Sequence, residues 1–375
     1  MNDNTSFVDF YNKHNISPVS QNISNLEEHF QRRNSLLAGL GIPSAFINGS
    51  SVLEFGAGSG HNSTYIASLS PDKYHLVDGS NVGIRETERI LSEYKINDLE
   101  IIQSLFLDYS SNSLFDLVWA EGCIPHQANS ICILKHLSQY TKKSGIFVIT
   151  TINGISHLSE TIRRLVSHMH INSIEAIDAK VKAVRPLHEK HLQYLKGMSR
   201  PVDDWILDVI IQPLHKSKLF SIPDAIDVLQ NEYDIYGTSP RFITDWRWYK
   251  DIIGTDRGFN KTALDSYYQN NLNLIDYRFT FPAHASEYGI NLERLCNNSW
   301  SIMSSIQNGD TTQWDGFINL LNDISSVVKI KSPETSRAIT EASFWLQNGA
   351  PLNQKLKYFP RWWGRGQQYA SFIRK

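Results

Sequence analysis

The stretch Val52-Leu53-Glu54-Phe55-Gly56-Ala57-Gly58-Ser59-Gly60 constrains this chain more than any other. A short apolar strand runs straight into three alternating glycines. Tyr65, Ile66 and Leu69 then recur at helical spacing. A strand that ends in glycines and feeds a helix is a ligand-binding turn. Its glycines permit a tight turn and let a ligand approach the main chain without meeting a Cβ. The alternation continues beyond it. Residues 74–77 read as a second strand ending at Asp78-Gly79, and a helix follows over 83–94. Residues 99–102, 115–120 and 146–150 read as further strands, with a helix over 131–140 and a turn at Ser144-Gly145. Strands alternating with helices imply a parallel sheet wrapped on both faces.

At 375 residues the chain is too long for one small domain, so two domains or one α/β domain with large insertions are expected. Lys and Arg number 36 and Asp and Glu 38, a net charge of −2, which speaks against a nucleic-acid partner. No apolar run approaches the roughly 18 residues of a membrane span. The N-terminus, Met1 to Ser6, lacks the basic and apolar blocks of a secretory signal. Cys123, Cys132 and Cys296 are odd in number and form no CxxC, so neither a disulfide framework nor a cysteine-based zinc site is expected. The expected compartment is the reducing cytoplasm. The histidines form no HExxH, and no metal site is expected.

Two ligand classes compete for the glycine turn. A dinucleotide fingerprint requires GxGxxG. Here the spacing is GxGxG, with His61 next and Glu54 two residues before the first glycine. An anionic pyrophosphate prefers bare N–H groups, whereas a carboxylate beside the loop suits a ligand carrying an ammonium group. S-adenosylmethionine (SAM) carries one, together with a sulfonium. The pattern E-x-G-x-G-x-G resembles motif I of the class I SAM-dependent methyltransferases. Asp78, eighteen residues after Gly60, stands where an acid takes ribose hydroxyls. Phe115-Asp116-Leu117-Val118, followed by Trp119-Ala120-Glu121-Gly122-Cys123-Ile124-Pro125-His126, resembles motif IV. Lys142 to Val148 resembles the next turn and strand, with Ser144 where the family often has proline.

The resemblance covers about residues 30–151. It implies a Rossmann-like α/β fold, a doubly wound seven-stranded sheet with large helical insertions. It also implies SAM as cofactor and S-adenosylhomocysteine (SAH) as product. Glu54, Gly56, Ala57, Gly58, Gly60, Asp78, Gly79 and Glu121 are the expected cofactor residues, with Ser104 and Leu105 beside the adenine. Tyr11 and Arg32 are candidates to cover the cofactor from the N-terminal side.

Family members close the sheet with an antiparallel hairpin, and residues 233–236 and 369–374 are its expected strands. The resulting division is a helical cap at 1–50 and a SAM-binding core at 51–151. A helical insertion follows at 152–232, then closing strands at 233–250 and 366–375 around a second insertion at 251–365. Ser24 is the expected cap of a helix reaching about residue 40, and Ser221 that of another with Pro223 in its first turn. Helices are further expected over 155–169, 174–194, 203–211, 287–306, 313–329 and 333–347. The whole chain resembles methyltransferases of bacterial surface-polysaccharide and secondary-metabolite gene sets.

Methyl transfer is an in-line displacement that requires alignment and exclusion of water. A hydroxyl acceptor also needs a proton acceptor. His126, in the loop after the fourth strand, is the first candidate base, and Glu121 the second. Arg200, Asp204, Trp246 and Arg361 are candidates for the acceptor, which is expected to be a small polar molecule, a sugar or a peptide-like metabolite. The aromatic clusters around Trp246 and Trp362 suit either a sugar ring or plain packing. The alternative functions are a nicotinamide-dependent oxidoreductase and a non-catalytic SAM-binding protein.

Overall fold

The computed structural model describes residues 6–14, 21–125, 127–212 and 219–375. The chain divides into two compact units. One comprises Met1–Thr151, Phe220–Tyr267 and Gln367–Lys375, and the other Ile152–Leu219 and Tyr268–Gly366.

The first unit is built on seven strands: β1 (Ser51–Phe55), β2 (Lys73–Asp78), β3 (Asp98–Gln103), β4 (Phe115–Ala120), β5 (Thr141–Thr151), β6 (Tyr233–Ser239) and β7 (Gln368–Arg374). Their order is β3-β2-β1-β4-β5-β7-β6. β7 runs antiparallel to both neighbours, and the pairs from β3 to β5 are parallel. The order reverses between β1 and β4. Open α/β sheets bind ligands outside the carboxyl ends of their strands at such a reversal.

Every strand of the sequence reading is present, and the seven-stranded Rossmann-like sheet is as expected. β1 and β4 are buried almost throughout because helices cover both faces. Leu37, Leu40, Tyr65 and Ile66 pack on one face against Val52, Leu76, Trp119 and Val148. On the other face Phe55 meets Tyr109 edge-on at 5.4 Å, and Tyr109 meets Tyr140 at 5.2 Å.

Three local expectations need correction. The helix Leu26–Gly39 is capped by Asn25, whose side chain accepts from the Glu28 N–H, and not by Ser24. Ser144-Gly145 is not a turn before β5 but an irregularity inside it. Ser144 has φ 60, and the register with β4 shifts between Phe115 and Leu117. The helix Asn260–Asn270 escaped the sequence reading because it buries little beyond Ala263, Ser266 and Tyr267. It has a function in the sheet. Asn260 accepts from the Ile235 N–H at 2.8 Å and donates to the Tyr233 carbonyl at 2.9 Å, covering the free edge of β6. The cap at Ser221 forms as expected, with Asp224 completing a capping box.

The second unit is helical: Gly154–Ile171, Ile177–Leu192, Val202–Trp205 continuing into Ile206–Ile211, Ser286–Gln307, Trp314–Val328 and Pro333–Gln347. Its core holds a buried cation. Arg163 donates to the carbonyls of Ser159, Phe359 and Trp362 at 3.1, 3.2 and 2.9 Å. Its guanidinium lies 3.6 Å from the Trp363 ring centroid and 4.6 Å from that of Phe359. The Phe359–Trp363 cluster is therefore packing around Arg163. Among the described residues no helix is long and apolar enough to cross a membrane.

Candidate functional site

The glycine turn leaves β1 at the carboxyl edge of the sheet. Gly56, Gly58 and Gly60 all have positive φ, at 77, 59 and 75. Space is short as well. A Cβ on Gly56 would lie 2.9 Å from the Cys123 Cβ, and one on Gly60 would lie 3.0 Å from the Thr87 Cα. Gly83, in the helix Asn81–Leu91, has no room for a Cβ against the Gly58 carbonyl at 2.7 Å. That helix packs directly on the turn, and Thr87 Oγ1 donates to the same carbonyl at 3.1 Å.

Asp78 ends β2 beside this turn. Its Oδ2 accepts from the Gly58 N–H at 2.9 Å and its Oδ1 from the Ser80 N–H at 2.8 Å. Burial raises its pKa against the pull of these two N–H donors. Each oxygen keeps lone-pair capacity for a further donor. Ser80 caps the helix Asn81–Leu91 and donates to Asn12 at 3.1 Å. A Cβ on Gly79 would meet Val8 at 2.8 Å and Leu105 at 3.3 Å. The N-terminal helix Ser6–His14 therefore lies over Gly79. Ser104 donates its N–H to the Asp78 carbonyl at 3.0 Å. Gly56, Ala57, Gly58, Gly60, Asp78, Gly79, Ser104 and Leu105 thus converge on one edge.

Glu54 does not join them. Strand alternation turns its side chain to the same face as Val52, where it is 3 % exposed. It accepts from Tyr74 through a short hydrogen bond and from Ser63 Oγ at 3.0 Å. Its carboxyl group fastens the start of the helix Ser63–Ser68 to β1 and β2 and is not presented to a ligand. Burial pushes its pKa up to about 7. The folded chain then holds the Glu54 proton beyond the ordinary value of 4.5. This contribution is complete below pH 4.5 and is lost as pH rises through 7. Relative to the parent, Glu54→Gln should therefore gain stability between these values, by about 3 kcal/mol at most. Urea unfolding of both proteins at the two ends of the range measures it, and a pH-independent difference would contradict it.

Glu121 also departs from expectation. Its carboxylate receives Arg33 in a two-pronged pair at 2.9 and 2.8 Å. Trp119 Nε1 donates at 3.0 Å, Asn62 Nδ2 at 3.1 Å and the Tyr369 hydroxyl at 2.6 Å. Burial works to raise its pKa, yet Arg33 and the other donors hold it below the ordinary value. Five hydrogen bonds fill this carboxylate, so it serves neither as a base nor as a ready cofactor ligand. It is the node that joins the helix Leu26–Gly39, the glycine turn, β4 and β7. The sequence reading missed Arg33 and selected its neighbour Arg32, which points outward to Glu28. The available signal was spacing: Arg33 falls between Phe30 and Leu37 on the inward stripe of its helix.

His126 lies outside the described residues. The loop leading to it is fixed by Gly122, whose N–H donates to Thr150 Oγ1 at 2.7 Å. The Cys123 thiol faces the Phe55 carbonyl at 3.5 Å, and burial raises its pKa. His61, next to the turn, accepts from the Gln21 N–H at 3.2 Å and ties down the N-terminal segment. Trp246 lies on the exposed segment after β6. Arg200, Asp204 and Arg361 belong to the helical unit. Arg200 pairs with Asp208 at 2.7 Å, and Arg361 lies over the Tyr194 ring at 5.2 Å. Burial raises the Asp204 pKa. His75, Asp98 and Glu100 come together on β2 and β3. Both ring nitrogens of His75 face carboxylates at 3.3 Å, and Lys73 pairs with Asp98 at 2.8 Å, so the group is an ion-pair cluster.

Residues 47–195 match the family model of a methyltransferase domain. This stretch is a methyltransferase domain, carried on the Rossmann-like seven-stranded sheet described above. Solved structures similar to the chain include the N-methyltransferase NodS from Bradyrhizobium japonicum WM9 in complex with SAH. It is 13% identical over 39% of this chain and 74% of that one, with a TM-score of 0.32. The magnesium protoporphyrin IX methyltransferase from Synechocystis PCC 6803 with bound SAM is 16% identical over 40% and 76%, with a TM-score of 0.33. PKMT2 from Rickettsia typhi in complex with AdoHcy is 18% identical over 59% and 46%, with a TM-score of 0.43. No curated protein matches the chain. The nicotinamide alternative falls with the family match and with the antiparallel β7 inside the sheet.

Proposed function

We propose that the enzyme methylates a small or medium polar acceptor on oxygen, and that the glycine turn and Asp78 hold the cofactor. The observation that carries the cofactor assignment is the link between Asp78 and the Gly58 N–H, inside a turn where Gly56 and Gly60 leave no room for side chains. The residues present fit SAM. Gly56, Ala57, Gly58 and Gly60 supply bare backbone for its amino-acid end. Asp78 offers acceptors for the ribose hydroxyls. Gly79, Ser104 and Leu105 flank the adenine. When bound, SAM supplies an electrophilic methyl group. The chain's own residues must then bind it, align the acceptor, exclude water and receive a proton. Oxygen is favoured over nitrogen because the loop after β4 carries an imidazole at His126, and because Glu121 is already saturated.

Calorimetry with SAM and SAH tests the cofactor site. Asp78→Ala should weaken binding by about 1.5–3 kcal/mol through loss of charge-assisted hydrogen bonds. Unchanged affinity would remove Asp78 from the site. Release of SAH with hydroxyl-bearing and amine-bearing acceptors then separates O- from N-methylation. Tight SAM binding without turnover on any acceptor would favour a non-catalytic SAM-binding role.

A further inference from the structure

The segment between β6 and the helix Asn260–Asn270 wears its apolar side chains on the outside. Trp246 is 92 % exposed, Tyr249 71 %, Ile253 70 % and Trp248 60 %. Single exposed apolar residues are ordinary, but several large ones on one short segment form a patch that calls for a partner.

The segment is clamped. Arg247 grips Asp245 through Nε at 3.0 Å and Nη2 at 2.6 Å, and donates through Nη1 to the carbonyls of Asp256 and Gly258 at 2.6 and 3.1 Å. Thr244 exchanges two hydrogen bonds with Ser266 at 3.1 Å, and Phe242 packs on Tyr267. Trp246 and Trp248, on either side of the clamping Arg247, are left exposed. A backbone fixed in this way presents a preorganised contact surface. β6 runs parallel to β5, so the segment leaves the sheet on the same edge as the glycine turn.

The chemistry of the patch selects its occupant. With Arg247 and Asp245 neutralising each other, Arg241, Lys250 and Arg257 stand against Asp251 and Asp256. The segment therefore carries one net positive charge on a chain whose net charge is −2. Indole and phenol rings settle at the headgroup level of a bilayer. An aliphatic side chain enters more deeply, and Lys and Arg meet anionic headgroups. Two observations disfavour a sugar chain. Ile253 has no ring to stack on a sugar. The Lys250 ammonium lies 5.0 Å from the Trp248 ring and 5.9 Å from that of Tyr249, over the rings a sugar would need. We propose that this segment docks the protein reversibly on anionic lipid bilayers.

The test is co-sedimentation of the full chain with vesicles of equal parts phosphatidylglycerol and phosphatidylcholine, and with vesicles of phosphatidylcholine alone. Binding to the mixed vesicles should exceed binding to the neutral ones by about tenfold, and should weaken with added salt. Trp246→Ala with Trp248→Ala, and separately Lys250→Glu with Arg257→Glu, should each lower the partition by about tenfold or more. All four side chains are exposed, so circular dichroism and melting should match the parent. Failure to sediment with the mixed vesicles, or undiminished binding by the Trp variant, would overturn the proposal. Binding to a soluble acidic polysaccharide without vesicle binding would also overturn it and transfer the patch to a glycan.

Discussion

Arg33→Met is expected to destabilise the sheet unit by about 3–5 kcal/mol, because it leaves the Glu121 carboxylate as an unpaired, largely buried charge. The native carboxylate accepts two hydrogen bonds from Arg33 and one each from Trp119, Asn62 and Tyr369. Methionine keeps much of the stem's volume and removes only the cation, which isolates the electrostatic loss from a cavity. Adding Glu121→Gln removes the orphaned charge and should restore a large part of the loss. Such recovery is the mark of a coupled pair. Burial alone would lower the pKa of Arg33, and Glu121 more than reverses this. The lowered pKa of Glu121 agrees that the ionised pair is the folded form. Its contribution is present above the ordinary value of 4.5 and is lost as pH falls through the depressed one. Arg33→Met should therefore also flatten the acid limb of the stability curve. Urea unfolding of parent, single and double variants near neutrality measures the effect. A loss below about 1 kcal/mol would reduce the pair to an exposed salt bridge.

The parts of the fold legible in the sequence were those written in consecutive residues. The glycine turn, the acid closing β2 and the apolar strands β1 and β4 each declare themselves within about ten residues. β6 and β7 were readable as strands, and the family resemblance placed them in one sheet. The Glu121 node was not legible because its partners are far apart in the chain. Tyr369 is 248 residues from Glu121 and Arg33 is 88. Glu54 was misread for another reason. The motif drew attention to its charge, although two-residue alternation puts it on the same face of β1 as the apolar Val52. The two aromatic clusters show the limit of composition. The residues around Trp246 and those around Trp362 look alike in sequence, yet the first group is exposed and the second is buried around Arg163, almost two hundred residues away. What separates them is a tertiary partner that no local pattern reveals.

His126→Ala is expected to lower turnover by about 10²–10⁴-fold while leaving SAM affinity nearly intact, because a base acts in the transition state and not in cofactor binding. The assignment rests on elimination as well as position. Glu121, the carboxylate of this loop, is held as an anion by five hydrogen bonds, and taking a proton would break its pair with Arg33. The Cys123 thiol is held protonated by burial and has no role as an acceptor. In sequence His126 follows two residues after Ile124 and four after Gly122, which is itself pinned to Thr150. A histidine base works in its neutral form, so turnover should rise with pH through the imidazole titration, and His126→Asn should lose that dependence along with the rate. The amide can still align an acceptor but cannot take its proton. Single-turnover assays with a competent hydroxyl acceptor, at several pH values, distinguish the two roles. Full activity in His126→Asn with a large loss in His126→Ala would make His126 an aligning group. A loss below about threefold in both would leave alignment by other residues as the source of the rate.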